Sequence, residues 1–396
     1  MITKIADKIY WVGVIDWGIR KFHGHELSVH RGTTYNSYLI VDQKIALVDT
    51  VWGPFSEELI ANISQIIPPS KINYVIANHA EVDHSGALPA IMQYCPDATV
   101  VVSRNGAESI PGHYHSNWKI KSVNSGDTIS LGTINLRFIE APLLHWPDSM
   151  FTYAEGPNVL MPNDAFGQHY ATAFRFNDEV NNEELYAEAL KYYVNILTPF
   201  SERVSRKISE LISMNIPVEM IAPSHGVIWR KDPLLIVKKY QEWAEQKPEK
   251  SAVVLYDTMW EATRKMAVAI SDGIAEGNVP ARVFHMAVAD RNDVLVEIFK
   301  AKAIIIGCPT FNRGLLPSIT PVLEDCKGLR FKNKISAAFG SFGWSGESVK
   351  IIEEYLEKCG FKIVIPGLKV KWQPRSEDIV LCRNMGKTIA LEIKKE

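Results

Sequence analysis

Four groups able to hold a metal crowd into six residues, His79-Ala-Glu-Val-Asp-His84. They directly follow the apolar stretch Tyr74-Val-Ile-Ala-Asn78, which reads as a strand. On the strand-to-helix turn that comes next, His79, Glu81, Asp83 and His84 can converge on one mouth. Three more residues of the same kinds recur where an apolar stretch meets a Gly- or Pro-marked loop. They are His145 in Pro142-Leu-Leu-His-Trp-Pro-Asp148, Asp164 in Leu160-Met-Pro-Asn-Asp-Ala-Phe-Gly167, and His225 in Ile221-Ala-Pro-Ser-His-Gly226. Any one of these, alone, reads equally as a polar loop satisfied by its neighbours. Together they describe loops gathered on one rim of a rigid scaffold, where sites are built. Four imidazoles and three carboxylates are too many for one tetrahedral zinc. They suit two metals with one carboxylate bridging. Mixed nitrogen and oxygen ligation favours iron or manganese, and zinc accepts the same groups. Three carboxylates against two divalent ions leave roughly one net positive charge, which accommodates oxidation with an oxo or hydroxo bridge.

A second chemistry is written after residue 250. Ala252-Val-Val-Leu-Tyr256 reads as a strand. It leads through a loop and helix start comprising Thr258, Met259, Trp260, Glu261, Ala262 and Thr263. A flavin phosphate asks for hydroxyl groups, backbone N–H donors and a helix N-terminus at such a place. Thr258 and Thr263 supply the hydroxyls, and the Glu261 carboxylate must point away from a dianion. Two further loops follow later strands. One holds Pro309, Thr310, Phe311 and Asn312; the other holds Ser341, Phe342, Gly343, Trp344, Ser345 and Gly346. Their glycines permit close backbone approach, and Phe342 or Trp344 can stack on an isoalloxazine ring. No Gly-x-Gly-x-x-Gly follows any strand, so a dinucleotide is not supported.

The elements that must position these groups fall into two grammars. Up to about residue 245, short strand-like runs mix with helical stretches such as 56–65 and 183–197, which suggests two sheets covered by helices in an αββα order. Ten of the eleven histidines lie there. The polar stretch Glu245-Gln-Lys-Pro-Glu-Lys-Ser251 marks a boundary, giving expected domains 1–248 and 249–396. Beyond it, five strands alternate with five helices, the pattern of a doubly wound parallel sheet of flavodoxin size. The 396 residues are 46% hydrophobic, with 43 Lys+Arg against 45 Asp+Glu and a net charge of −2. That balance gives no reason to expect nucleic acid or an anionic membrane as partner. No apolar run is long enough to span a bilayer and no signal core opens the sequence, so the cytoplasm is the expected compartment. Five widely spaced cysteines without a Cys-x-x-Cys exclude a fused rubredoxin-type iron site.

The order of the rim residues resembles the metallo-β-lactamase fold, whose hydrolases use His-x-His-x-Asp-His. Glu81 stands where those hydrolases have their second histidine. With that change the chain is similar to the class A flavodiiron proteins, the rubredoxin:oxygen oxidoreductases and nitric oxide reductases. Ala141-Pro-Leu-Leu-His-Trp-Pro-Asp-Ser-Met-Phe151 and Asn163-Asp-Ala-Phe-Gly-Gln-His169 also carry the likeness, which extends over essentially the whole chain. The resemblance implies His79, Glu81 and His145 on one iron, Asp83, His84 and His225 on the other, and Asp164 bridging. In some relatives the counterpart of His84 is swung away. It implies FMN in the second domain, and His25, Tyr193 and Trp146 beside the substrate. His113, His115 and His169 have no ligand role in the pattern. The implied activity is reduction of O2 to water or of NO to N2O. Electrons would come from a separate donor, rubredoxin or a reduced deazaflavin coenzyme, to a head-to-tail homodimer or a dimer of such dimers. The alternative is a metal-dependent hydrolase joined to a flavodoxin domain.

Overall fold

The computed structural model describes residues 2–395. The chain divides into two compact units. One runs through Tyr193 and resumes at Phe200–Ala244; the other takes Val194–Pro199 and the chain from Glu245 onward.

The first unit is built on two sheets. In the seven-stranded sheet the order is Thr3–Ala6, Ile9–Trp11, Tyr38–Val41, Ile45–Val48, Tyr74–Ala77, Thr99–Ser103 and Ile120–Val123. The first four pair antiparallel and the last four parallel, so Ile45–Val48 is the strand where direction changes. The five-stranded sheet runs Thr128–Ser130, Asn135–Glu140, Met150–Glu155, Val159–Met161 as an antiparallel meander, then Met220–Ile221 in parallel. Alternate residues of the two sheets meet in one apolar core. Ile9, Trp11, Tyr38, Ile40, Ala46, Val48, Ile76 and Val101 come from one side, and Leu136, Phe138, Met150 and Ala154 from the other. This is the period-2 consequence of strand geometry. The intervening residues Leu39, Leu47, Val75, Val100 and Val102 are buried as well, so the larger sheet is covered on both faces. The helical stretch expected over 183–197 is present, in two geometries. A helix spans Asn182–Tyr192, and Tyr193–Leu197 continues as a π-helical turn.

The second unit has strands Glu249–Tyr256, Ala281–His285, Ala301–Gly307, Ile335–Phe342 and Lys362–Ile363. Their spatial order is second, first, third, fourth, fifth, and every pair is parallel. That order is the flavodoxin-like doubly wound one, which places its crevice at the carboxyl ends of the strands. The fifth strand is broken. After Lys362–Ile363 the chain returns at Leu368–Lys371 to pair with Ile335–Phe342 again. Helices Ala262–Glu276 and Ser376–Lys394 supply Met266, Ile270, Ile274, Met385 and Ile389 to a core with Val254, Ile305 and Ala337.

Candidate metal centre and flavin cavity

Every ligand expected from the sequence stands just beyond a strand end. His79 follows Tyr74–Ala77, and the short helix Val82–Ser85 carries Asp83 and His84 with Glu81 before its first residue. His145 lies on the loop between Asn135–Glu140 and Met150–Glu155. Asp164 follows Val159–Met161, and His225 follows Met220–Ile221. Two groups form. Ligand atoms of His79, Glu81, His145 and Asp164 lie within 4.8 Å of one another, and so do those of Asp83, His84 and His225. Asp164 faces both groups. Its Oδ1 is 3.1 Å from His84 Nε2 and 3.6 Å from His225 Nε2, while its Oδ2 is 3.6 Å from His145 Nε2 and 3.9 Å from His79 Nε2. His84 is turned into the cluster.

The loops are held in register by one buried carboxylate. Asp49, directly after Ile45–Val48, accepts from Asn78 N at 2.8 Å and Asn78 Nδ2 at 3.0 Å. It also accepts from Asn163 Nδ2 at 3.2 Å and Ser224 Oγ at 3.3 Å. Asn78, Asn163 and Ser224 are the residues immediately before His79, Asp164 and His225. Gly226 closes the last loop at φ +78°, where a Cβ would collide with the Gln168 side chain.

Charge in the cluster is balanced in favour of cations. Burial pushes the Glu81 carboxyl up, but His145, His23 and His79 outweigh it and hold it well below the usual carboxylate range. Burial also opposes ionisation of Asp164, and the surrounding His84, His145 and His79 likewise hold it well below that range. Burial pushes the His84 imidazole down, and Asp164 with Asp83 overrides it, raising it to about 9. Several donor atoms stay unsatisfied. Asp83 Oδ1, His84 Nε2 and Asp164 Oδ2 are buried without a hydrogen-bond partner; the short His84 contacts are ion-pair distances without hydrogen-bond geometry. Converging lone pairs, depressed carboxylates and raised imidazoles are what metal ions replace protons to satisfy. The donor set fits a pair of metals.

Two residues beside the cluster differ from expectation. His25 is exposed on the turn between Lys21–Phe22 and Leu27–Ser28; on the same turn it is His23 whose Nε2 reaches Glu81 Oε1 at 3.3 Å. The Tyr193 hydroxyl pairs with Ser201 Oγ at 3.0 Å, and its ring packs on Tyr240 and Trp243. Tyr192 is the one whose hydroxyl donates to Asp164 Oδ1, at 2.7 Å. Adjacent helical residues point about 100° apart, so one step along the helix exchanges the two roles. Trp146 packs edge-on against His79, with ring centroids 4.9 Å apart. His169 is buried, its Nδ1 2.8 Å from Thr33 Oγ1 and its ring against His225, while His113 and His115 are exposed. The sequence also left unassigned Asp148, which lies 3.2 Å from His79 Nδ1.

The second unit holds a cavity of about 950 Å³. Thr258, Met259, Trp260 and Ala262 line it from the first loop. Pro309, Thr310, Phe311 and Asn312 do so from the second, and Ser341, Phe342, Gly343, Trp344 and Ser345 from the third. Glu261, Thr263 and Gly346 are outside the lining. Glu261 adopts φ +65° and pairs its carboxylate with Arg264 at 3.0 Å. Thr263 is wholly buried with its hydroxyl 3.0 Å from Ser341 Oγ. Gly346, at φ +77°, lets the third loop turn beside the Phe342 ring. Arg313, in the second loop, also lines the cavity; Trp372 and Gln373 do so without a sequence signal, because the broken fifth strand that delivers them is only four residues long. Thr258 Oγ1 is buried without a hydrogen-bond partner. A cavity of this size, walled by aromatic rings and holding an orphaned hydroxyl beside a helix start, fits a flavin mononucleotide.

A family model described as ODP family beta lactamase matches residues 33–226, and one described as flavodoxin matches 254–386. The chain is 51% identical to a nitric oxide reductase of Moorella thermoacetica, over 99% of this chain and 98% of that one. It is 46% identical to an anaerobic nitric oxide reductase flavorubredoxin of Klebsiella pneumoniae, over 98% of this chain and 82% of that one. Among solved structures, the rubredoxin oxygen:oxidoreductase of Desulfovibrio gigas superposes with a TM-score of 0.97 at 39% identity, covering 100% of this chain and 99% of that one. The flavodiiron protein of Giardia intestinalis gives 0.94 at 32% identity, covering 100% and 97%.

Proposed function

The chain belongs to the flavodiiron family, and from that premise we propose that it reduces nitric oxide to nitrous oxide, dioxygen to water, or both, at two irons supplied with electrons through FMN. The observation that carries this is Asp164, one carboxylate with an oxygen turned to each of two ligand groups. His79, Glu81 and His145 would hold one iron, Asp83, His84 and His225 the other, with Asp164 between. Thr258 and the three loops around the cavity would hold FMN. When bound, the iron pair supplies binding and reduction of the diatomic gas, and FMN supplies electrons one at a time.

The chain's own residues do the rest. Tyr192 donates to Asp164 Oδ1 and fixes the orientation of the shared carboxylate. Glu81, His145 and His23 are the partly exposed members of the cluster, so they form its open side. Both reductions consume protons. Burial lowers the His23 imidazole, but Glu81, with Asp83 and Asp164, outweighs it and raises it, which favours the protonated ring at that open side, its Nε2 3.3 Å from Glu81 Oε1. The electron donor would be a separate molecule. Rubredoxin, named for the Desulfovibrio relative, or a reduced deazaflavin coenzyme suits the role. Two copies would pair head to tail, so that each flavin serves the partner's irons. No helix among the described residues is long and apolar enough to cross a membrane.

The test is cofactor analysis together with gas consumption. About two irons and one FMN per chain are expected, with NO or O2 consumed when a chemical reductant is supplied. Zinc-loaded protein that hydrolyses a thioester or lactam and leaves both gases untouched would instead establish the hydrolase alternative.

A further inference from the structure

The ligand imidazoles are not supported alike. His79 Nδ1 lies 3.2 Å from Asp148 Oδ1, and Asp148 Oδ2 accepts from the Ala80 N–H at 2.7 Å. A carboxylate can only accept, so the imidazole proton sits on Nδ1 and Nε2 faces the cluster. His225 is backed differently, its Nδ1 donating to the Thr34 carbonyl at 2.6 Å. A charged acceptor pulls harder on the ring proton than a neutral carbonyl, and makes the opposite nitrogen the more basic ligand.

Asp148 also belongs to the loop that carries His145, three residues earlier. That loop is clamped from one side. Ser103 Oγ donates to Asp148 O at 2.6 Å, and Asn105 Nδ2 to Pro147 O at 2.7 Å. Asp148 itself is buried, and Trp146 between them packs on the His79 ring. One clamped loop thus presents a ligand, His145, and grips the outer edge of a second ligand, His79. Both serve the same metal position.

We propose that Asp148 is the positioning residue that makes the His79–Glu81–His145 position the tighter of the two metal positions. It does so by fixing the His79 tautomer and by locking the His145 loop onto that ring. The proposal rests on the two-metal reading above and adds an order to it: this position fills first and empties last.

Asp148→Asn tests it with little change of shape. The Ala80 N–H claims the amide oxygen, which turns the NH2 group toward His79 Nδ1. The ring must then move its proton to Nε2, the ligand atom. Metal-free full-length protein is titrated with ferrous iron under argon against a competing chelator. Wild type should take up two equivalents, one tighter than the other. In Asp148→Asn the tight equivalent should weaken about 10- to 100-fold while the other keeps its affinity. Asp148→Glu, which retains the charge, should lose less, again at that equivalent alone. Unchanged affinities, or equal weakening of both equivalents, would overturn the proposal, and Asp148→Glu is judged by the same outcomes should the Asn variant not fold. A wild-type chain that takes up fewer than two irons would instead defeat the two-metal reading.

Discussion

Thr258 and Thr263 carry the same hydroxyl five residues apart, yet only the first is left without a partner. The Thr263 hydroxyl is engaged with Ser341, so the two threonines are unequal as phosphate anchors. Thr258→Val should cost about 1.5–3 kcal/mol of FMN binding, the range for a hydrogen bond to a charged group. That is roughly 10- to 100-fold in affinity. Thr263→Val should cost less, and iron should stay bound in both. Native flavin affinity in Thr258→Val, measured by titration of flavin-free protein, would sink this placement. At the same scale, the clustered side chains that could hold metal were legible because their types and positions were written in the sequence. His23 and Tyr192 were not, since a hairpin turn and a helical rotation of about 100° decide which neighbour faces inward.

At the scale of elements, the metal rim depends on strand ends that one residue keeps in register. Asp49 reaches the residues preceding His79, Asp164 and His225, which come from both sheets. Asp49→Ala strands the Asn78 and Asn163 donors in a buried place, each worth about 1–3 kcal/mol when left unpaired. Thermal unfolding should shift down. Both metal positions should weaken together, in contrast to the single-position effect argued for Asp148. Full iron content and an unshifted transition in Asp49→Ala would show that the loops hold themselves. This link was not legible beforehand, because Asp49 stands 29 residues from Asn78 and 175 from Ser224. The alternation of apolar residues did announce the strands, except where a strand is very short, as at Lys362–Ile363 and Leu368–Lys371.

For the molecule as a whole, the first unit carries the two groups of side chains that could hold metal and the second the cavity proposed for FMN. A head-to-tail C2 dimer makes a specific demand. A His79→Ala chain with intact flavin should rescue a chain kept free of flavin by Ser341→Phe, which puts a ring into the cavity. Co-expressed mixed dimers should regain one working site, while each parent homodimer stays inactive. Purified mixed dimers with the intact cofactors confirmed present, yet without turnover, would mean that electrons travel within one chain.

The sequence by itself determined what kinds of atoms are available and on which side of residue 245 they lie. Seven candidate ligands, three cavity loops and the alternation of strand with helix are local facts, set by residue type and by periods of 2 and 3.6. The tertiary structure decided what touches what. It turned the two oxygens of Asp164 to different groups, and it put Asp49 and Asp148 behind the ligands. It also grouped Val194–Pro199 with the second unit, where Asn195 and Asn292 exchange hydrogen bonds. Such pairings join residues far apart in the chain, and only packing, with its demand that buried polar groups find partners, selects among them.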